Sequence, residues 1–93
     1  MIQSFKDKTT AAVFMGLVVK GLPREIQPLA LRKLKMIDSS AKLNDLLVPP
    51  GNRLEALKRD RKGQHSIRIN DQWRVCFRFA DGNAFDVEIV DYH

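Results

Sequence analysis

The chain is 93 residues long, 44% hydrophobic, 29% charged and 8% aromatic, which suits one globular domain with a modest core. Deep multi-layer architectures and wholesale disorder are excluded on those grounds. The net charge is +5, and with Cys76 as its single cysteine the chain has neither an internal disulfide framework nor a cysteine-built zinc finger.

Ile2 to Phe5 suits a short first strand, ending before Asp7 or Thr9 as a helix N-cap. Ala11 to Val19 is the longest apolar run and predicts a mostly buried helix; it is far shorter than the ~20 residues that span a bilayer. Lys20-Gly21-Leu22-Pro23 follows it where a signal peptide would show a small-residue cleavage site, so a cytoplasmic chain with no membrane segment is expected. Ile26, Leu29, Leu34 and Ile37 then share one stripe of a 3.6-residue period. This second helix starts either near Pro28, with proline in its first turn, or at Pro23 with a bend. Ser39 to Asn52, containing Pro49-Pro50-Gly51, reads as loop.

From Arg53 onward the period changes to two. Ile67 and Ile69 alternate with Ser66, Arg68 and Asn70. Trp73, Val75, Phe77 and Phe79 oppose Arg74, Cys76 and Arg78, and Phe85, Val87 and Ile89 oppose Asp86 and Glu88. Asn70-Asp71 and Asp81-Gly82 supply the turns. The expected fold is α+β, a small antiparallel β-sheet covered on one face by two N-terminal α-helices, with residues 1–93 as a single domain.

Charge is unevenly spread. Residues 53–78 carry eight basic side chains (Arg53, Lys58, Arg59, Arg61, Lys62, Arg68, Arg74, Arg78) against three acids, whereas residues 79–93 carry four acids and no Lys or Arg. Such a basic block suits an anionic partner, with carboxylates at its margin. Arg68, Arg74 and Arg78 share strand parity, and guanidiniums so placed either bind phosphate oxygens or pair with Glu88, Asp86 or Glu55. No His/Cys/Asp spacing resembles a metal site and there is no Gly-rich phosphate loop, so neither metal nor cofactor is expected.

Leu57-Lys58-Arg59-Asp60-Arg61-Lys62-Gly63, Ser66-Ile67, Trp73-Arg74, Phe77-Arg78-Phe79, Asp81-Gly82 and the final Asp91-Tyr92-His93, with Ser4-Phe5-Lys6 near the start, form an ordered set. That set resembles the HigB group of RelE-like toxins, the plasmid-maintenance killer proteins of type II toxin–antitoxin systems. The resemblance implies a ribosome-dependent messenger RNA endonuclease, silenced by a HigA-like antitoxin with a helix-turn-helix domain and contacting operator DNA only through that antitoxin. The family's basic positions fall on Lys58 and Arg74, and its terminal acid, tyrosine and histidine on Asp91, Tyr92 and His93. Where many HigB-like relatives have a histidine, this chain has Glu55.

Metal-free RNA cleavage needs a base for the 2′-OH, stabilisation of the pentavalent phosphate and an acid for the leaving 5′-oxygen. Glu55 is the candidate base, Lys58 and Arg74 the phosphate clamp, and His93, beside Asp91, the candidate acid. Tyr92 is placed to stack on a base or orient the phosphate. Arg53, Arg59, Arg61, Lys62, Arg68 and Arg78 are candidate RNA-binding residues. Blander readings stand beside these: Glu55 as an ion-pair partner, His93 as a frayed end, Tyr92 as edge packing, His65 as a solvent-exposed histidine and Trp73 as core. Cys76, between two arginines, is either a thiol of lowered pKa or a small half-buried residue. The alternatives to a nuclease are a catalytically inactive RNA- or ribosome-binding module and a protein-interaction domain of the same fold.

Overall fold

In the computed structural model, which describes residues 1–92, helix α1 spans Lys8–Phe14. Asp7 caps it, its Oδ1 accepting the Thr10 amide at 2.7 Å. The helix does not run on to Val19. Gly16, at φ +85°, turns the chain away, with its N–H donating to the Val13 carbonyl at 2.9 Å and the Leu17 N–H to the Ala12 carbonyl at 3.0 Å. This is the Schellman arrangement that ends a helix at a left-handed glycine. Met15, Leu17 and Val18 are exposed as a result.

Helix α2, Gln27–Ser39, is entered through a 3-10 turn over Arg24–Ile26, so Pro28 occupies its first turn, where no intrahelical N–H bond is lost. Its buried stripe is Ile26, Ala30, Leu34 and Ile37. Leu29 is exposed because Ala30, not Leu29, stands one turn before Leu34. Residues 39–52 contain two 3-10 turns, Leu43–Leu47 and Pro50–Asn52, which bury Leu46 and Asn52. The Asn52 side-chain amide donates to the Leu46 carbonyl at 3.2 Å and fastens one turn to the other.

Four antiparallel strands follow in the order β1-β2-β3-β4: Glu55–Ala56, His65–Arg68, Trp73–Ala80 and Asn83–Asp91. Asp81 and Gly82, both at positive φ, form the tight hairpin turn that Asp-Gly favours. Asn70 Oδ1 closes the β2–β3 turn by accepting from the amides of Gln72 and Trp73 at 2.9 and 2.8 Å. Ile2 to Phe5 is not a strand; Ile2 and Phe5 make isolated parallel bridges to Ala84 and Val87.

Ile67, Val75, Phe77 and Val87 meet Ala30, Leu34 and Ile37 in a fully buried core between sheet and helices. Parity along β4 departs from strict alternation. Cys76 faces Glu88 but Arg78 faces Phe85, so β4 carries one extra residue at this point, where Asp86 adopts φ +54°. The bulge steps the pattern by one: Ala84 is fully buried, and Phe85 lies half-buried outside the core cluster in which alternation places it.

Candidate active site on the open face of the sheet

Arg74 on β3 stands directly opposite Arg68 on β2. Like charges in that position repel, and the two guanidiniums part. Arg68 pairs with Asp71. Arg74 turns toward β1, its Nε donating to Ser66 Oγ at 2.8 Å and its Nη2 to the Arg53 carbonyl at 2.6 Å. Arg53 presents that carbonyl from a left-handed backbone, φ +46°. Glu55 Oε1 lies 4.0 Å from Arg74 Nη2, and the Tyr92 ring centroid 5.6 Å from the guanidinium carbon, within cation–π range. The Arg74 side chain is only 13% exposed, so its charge is partly desolvated and held by four neighbours.

Beside it opens a cleft of about 320 Å³ lined by Glu55, Ala56, Leu57, Lys58, Arg59 and Tyr92. β1 is two residues long; the Leu57 amide makes a last bond to the Gln64 carbonyl at 2.9 Å. The chain then leaves the sheet through a 3-10 turn over Arg59–Arg61, which brings Lys58 and Arg59 to the cleft wall. One carboxylate, one ammonium, one guanidinium and a phenol therefore surround one solvent-facing space, and the Arg74 guanidinium stands beside it against Glu55 and Tyr92. Such a set can accept a proton, grip a phosphate and steady the charge that grows on it.

Arg61, Lys62, Arg68 and Arg78 fall outside this cluster. Arg61 donates through Nη1 to Glu88 Oε1 at 3.0 Å and Gln64 Oε1 at 3.1 Å, and the Glu88 hydrogen bond holds its guanidinium above its ordinary range against the effect of burial. Arg78 lies toward the far end of β3, with Nε 3.6 Å from Asp86, and Lys62 is exposed on the turn before Gly63. The arginines of shared parity thus each face an acid, Asp71, Glu55 or Asp86. Arg53 joins the cluster through its carbonyl. Asp91 pairs with Trp73, one residue out of phase with the Arg74 partner Val90, and accepts from Gln72 Nε2 at 3.2 Å. His93 lies outside the described residues.

Two expectations are corrected. Cys76 is fully buried, and burial pushes its thiol pKa up, outweighing the opposite pull of Arg61 and Arg74. His65 is half-buried, its ring centroid 6.4 Å from that of Phe77 and its Nδ1 buried without a partner. Ser66 and the Arg53 carbonyl hold Arg74, and Gln64 holds Arg61, three supports absent from the predicted site. Ser66 alone gave a signal, as a small polar residue of the same parity as Arg68. Among the described residues no group of three or more His, Cys, Asp or Glu is placed to hold a metal ion, and no helix is long and apolar enough to cross a membrane.

The family described as RelE-like toxin of type II toxin–antitoxin system HigB matches residues 3–93. The chain belongs to this HigB-like toxin family. Among its HigB relatives, the protein named Endoribonuclease HigB from Proteus vulgaris is 34% identical over the whole of both chains. Toxin HigB-1 from Vibrio cholerae serotype O1 is 42% identical over 65 residues, covering 70% of this chain and 68% of the relative. The HigB-like fold also superposes on a chain of the YoeB–YefM complex from Staphylococcus aureus, with a TM-score of 0.62, 19% identity, and coverage of 100% of this chain and 98% of the other.

Proposed function

We propose that this HigB-like chain, acting as one domain, is an endoribonuclease that cuts messenger RNA on the ribosome by metal-independent acid–base chemistry. The observation that carries the reading is the convergence of Glu55, Lys58, Arg59 and Tyr92 on one cleft, with Arg74 held beside it against Glu55 and the Tyr92 ring. Glu55 takes the proton of the 2′-OH, whose oxygen attacks the adjacent phosphorus. Lys58 and Arg74 hold the phosphate oxygens as the pentavalent centre forms, and Tyr92 stacks on a flanking base. The 5′-oxygen leaves with a proton from His93, which gives a 2′,3′-cyclic phosphate and a 5′-hydroxyl. Arg59, with Arg53, Lys62, Arg68 and Arg78 farther out, supplies long-range attraction for RNA. In a cytoplasmic setting the partner that silences the chain is a HigA-like antitoxin with a helix-turn-helix domain, which also carries any contact with operator DNA.

The test is cleavage of a defined messenger by the purified chain, with and without programmed ribosomes and with a 2′-deoxy nucleotide placed at the cut site. Cuts confined to translated messenger, abolished by the 2′-deoxy nucleotide and ending in a cyclic phosphate support the mechanism. A 3′-hydroxyl product, or cutting at the 2′-deoxy nucleotide, refutes it. Ribosome association without cuts identifies the inactive binding module instead. Lys58→Ala and His93→Ala should each relieve growth arrest at unchanged protein level.

A further inference from the structure

The apolar run after α1 is turned outward, away from the core. Met15, Leu17 and Val18 are 73%, 60% and 69% exposed. This is not a frayed end, because buried Gln27 fastens the loop to α2: its Oε1 accepts the Val19 amide at 3.0 Å, and its Nε2 donates to the carbonyls of Val19 and Leu22 at 2.9 and 3.0 Å. The fixed loop and α2 enclose a groove of about 340 Å³ whose walls include Val13, Leu17, Val18, Pro28 and Leu31, with Arg24 as its one charged lining residue. Contiguous apolar surface of this kind, rimmed by charge, marks a contact site for another protein.

The charge around the groove selects the occupant. Lys20, Arg24, Arg32 and Lys35 are exposed on the loop and on α2, against Glu25 as the single acid of residues 15–37. A second copy of the chain would bring the same cations together across the contact, with repulsion that the apolar floor would have to overcome. RNA is a poor fit as well, since Arg24 is the one charged donor in the lining and the aliphatic walls offer a base no ring to stack on. An apolar segment bearing carboxylates satisfies both the floor and the rim.

We propose that the α1–α2 groove is the docking site for an acidic, apolar segment of the cognate antitoxin, remote from the cleft at Arg74. Two or three aliphatic side chains of that segment fill the groove, and a carboxylate pairs with Arg24. The assignment rests on the toxin reading above, and its test separates the two. Full-length chains carrying Leu17→Asp, Val18→Asp or Arg24→Glu are compared with the unmodified chain for growth arrest when expressed alone, and by calorimetry for binding of the purified cognate antitoxin. Each substitution is at an exposed position outside the cleft. Growth arrest should be unchanged, while the Kd for the antitoxin rises at least tenfold. A photo-cross-linking residue at position 18 should capture an antitoxin segment that contains Asp or Glu. Unchanged affinity in all three variants overturns the proposal, as does a cross-link that joins two copies of this chain. Loss of growth arrest in the unmodified chain would sink the toxin reading, and the calorimetric comparison would still decide the groove.

Discussion

Arg61 and Glu88 join the turn after β1 to the middle of β4 through a 3.0 Å ion pair, with Gln64 completing the bond set at 3.1 Å. The turn that carries Lys58 and Arg59 to the cleft is thereby anchored from behind. Arg61 is committed to protein partners, unlike Lys58, which is exposed beside the cleft. Arg61→Ala leaves Glu88 half-buried without this partner and should cost about 1–2 kcal/mol in urea unfolding. Cleavage should fall as the turn loosens, and the double exchange Arg61→Glu with Glu88→Arg should recover part of it. The salt dependence of ribosome binding separates the two cations: Lys58→Ala should flatten it by roughly one counterion, and Arg61→Ala should leave it alone.

Arg74 makes a sharper case. A lysine there keeps the charge but cannot hold Ser66, the Arg53 carbonyl and the Tyr92 face together. Arg74→Lys should therefore lower single-turnover cleavage by about 10²–10³, the scale of losing a positioned charge stabiliser. Arg74→Ala should add a stability loss of about 1–3 kcal/mol, because fully buried Ser66 Oγ loses its bond to Nε. Cleavage by Arg74→Lys at the unmodified rate would mean that point charge alone suffices.

How far these features are legible in the sequence depends on how local their causes are. Asp7 as N-cap and Asp81-Gly82 as a hairpin turn act through neighbours within a few residues, and both are where residue type places them. Gly16 is local too, but it sits inside an apolar run whose composition predicts burial, and only its left-handed backbone stops the helix before Val19. Phe85 departs from alternation for a different reason. The extra residue at Asp86 is visible only once β3 and β4 are in register, and the Asp86 amide is held there by Ser4 Oγ at 2.9 Å, 82 residues away in the chain. Arg74 follows from parity and the family motif, whereas its support by the Arg53 carbonyl depends on a left-handed backbone that nothing at a non-glycine residue announces.

Glu55 is the carboxylate of the cleft wall, and removing its charge alone isolates its part in the chemistry. Glu55→Gln keeps the shape of the cleft wall and takes away the proton acceptor. Single-turnover cleavage on ribosomes should slow by about 10²–10⁴, the usual contribution of a general base. Ribosome association, measured by co-sedimentation, should hold or strengthen, because the change removes one negative charge from a cationic surface. Unaltered cutting would place the base elsewhere.

Cys76 links burial to alkaline stability. Its thiol is held above the ordinary thiol range, chiefly by burial, so the folded chain keeps the proton at a pH where the unfolded chain has lost it. Between the unfolded and folded pKa values the native state binds more protons than the unfolded one, and stability therefore falls as pH rises. The contribution is intact below about pH 8.5 and lost progressively above it. Urea midpoints of the unmodified chain should drop more steeply from pH 8.5 to 10.5 than those of Cys76→Ala, with parallel behaviour from pH 6 to 8. Alkylation gives a second reading of the same burial: Cys76 should resist iodoacetamide at pH 8.5 in the folded chain and react fully in urea. Rapid modification under native conditions would show a thiolate accessible at the sheet surface, and the alkaline slope should then be the same in both chains.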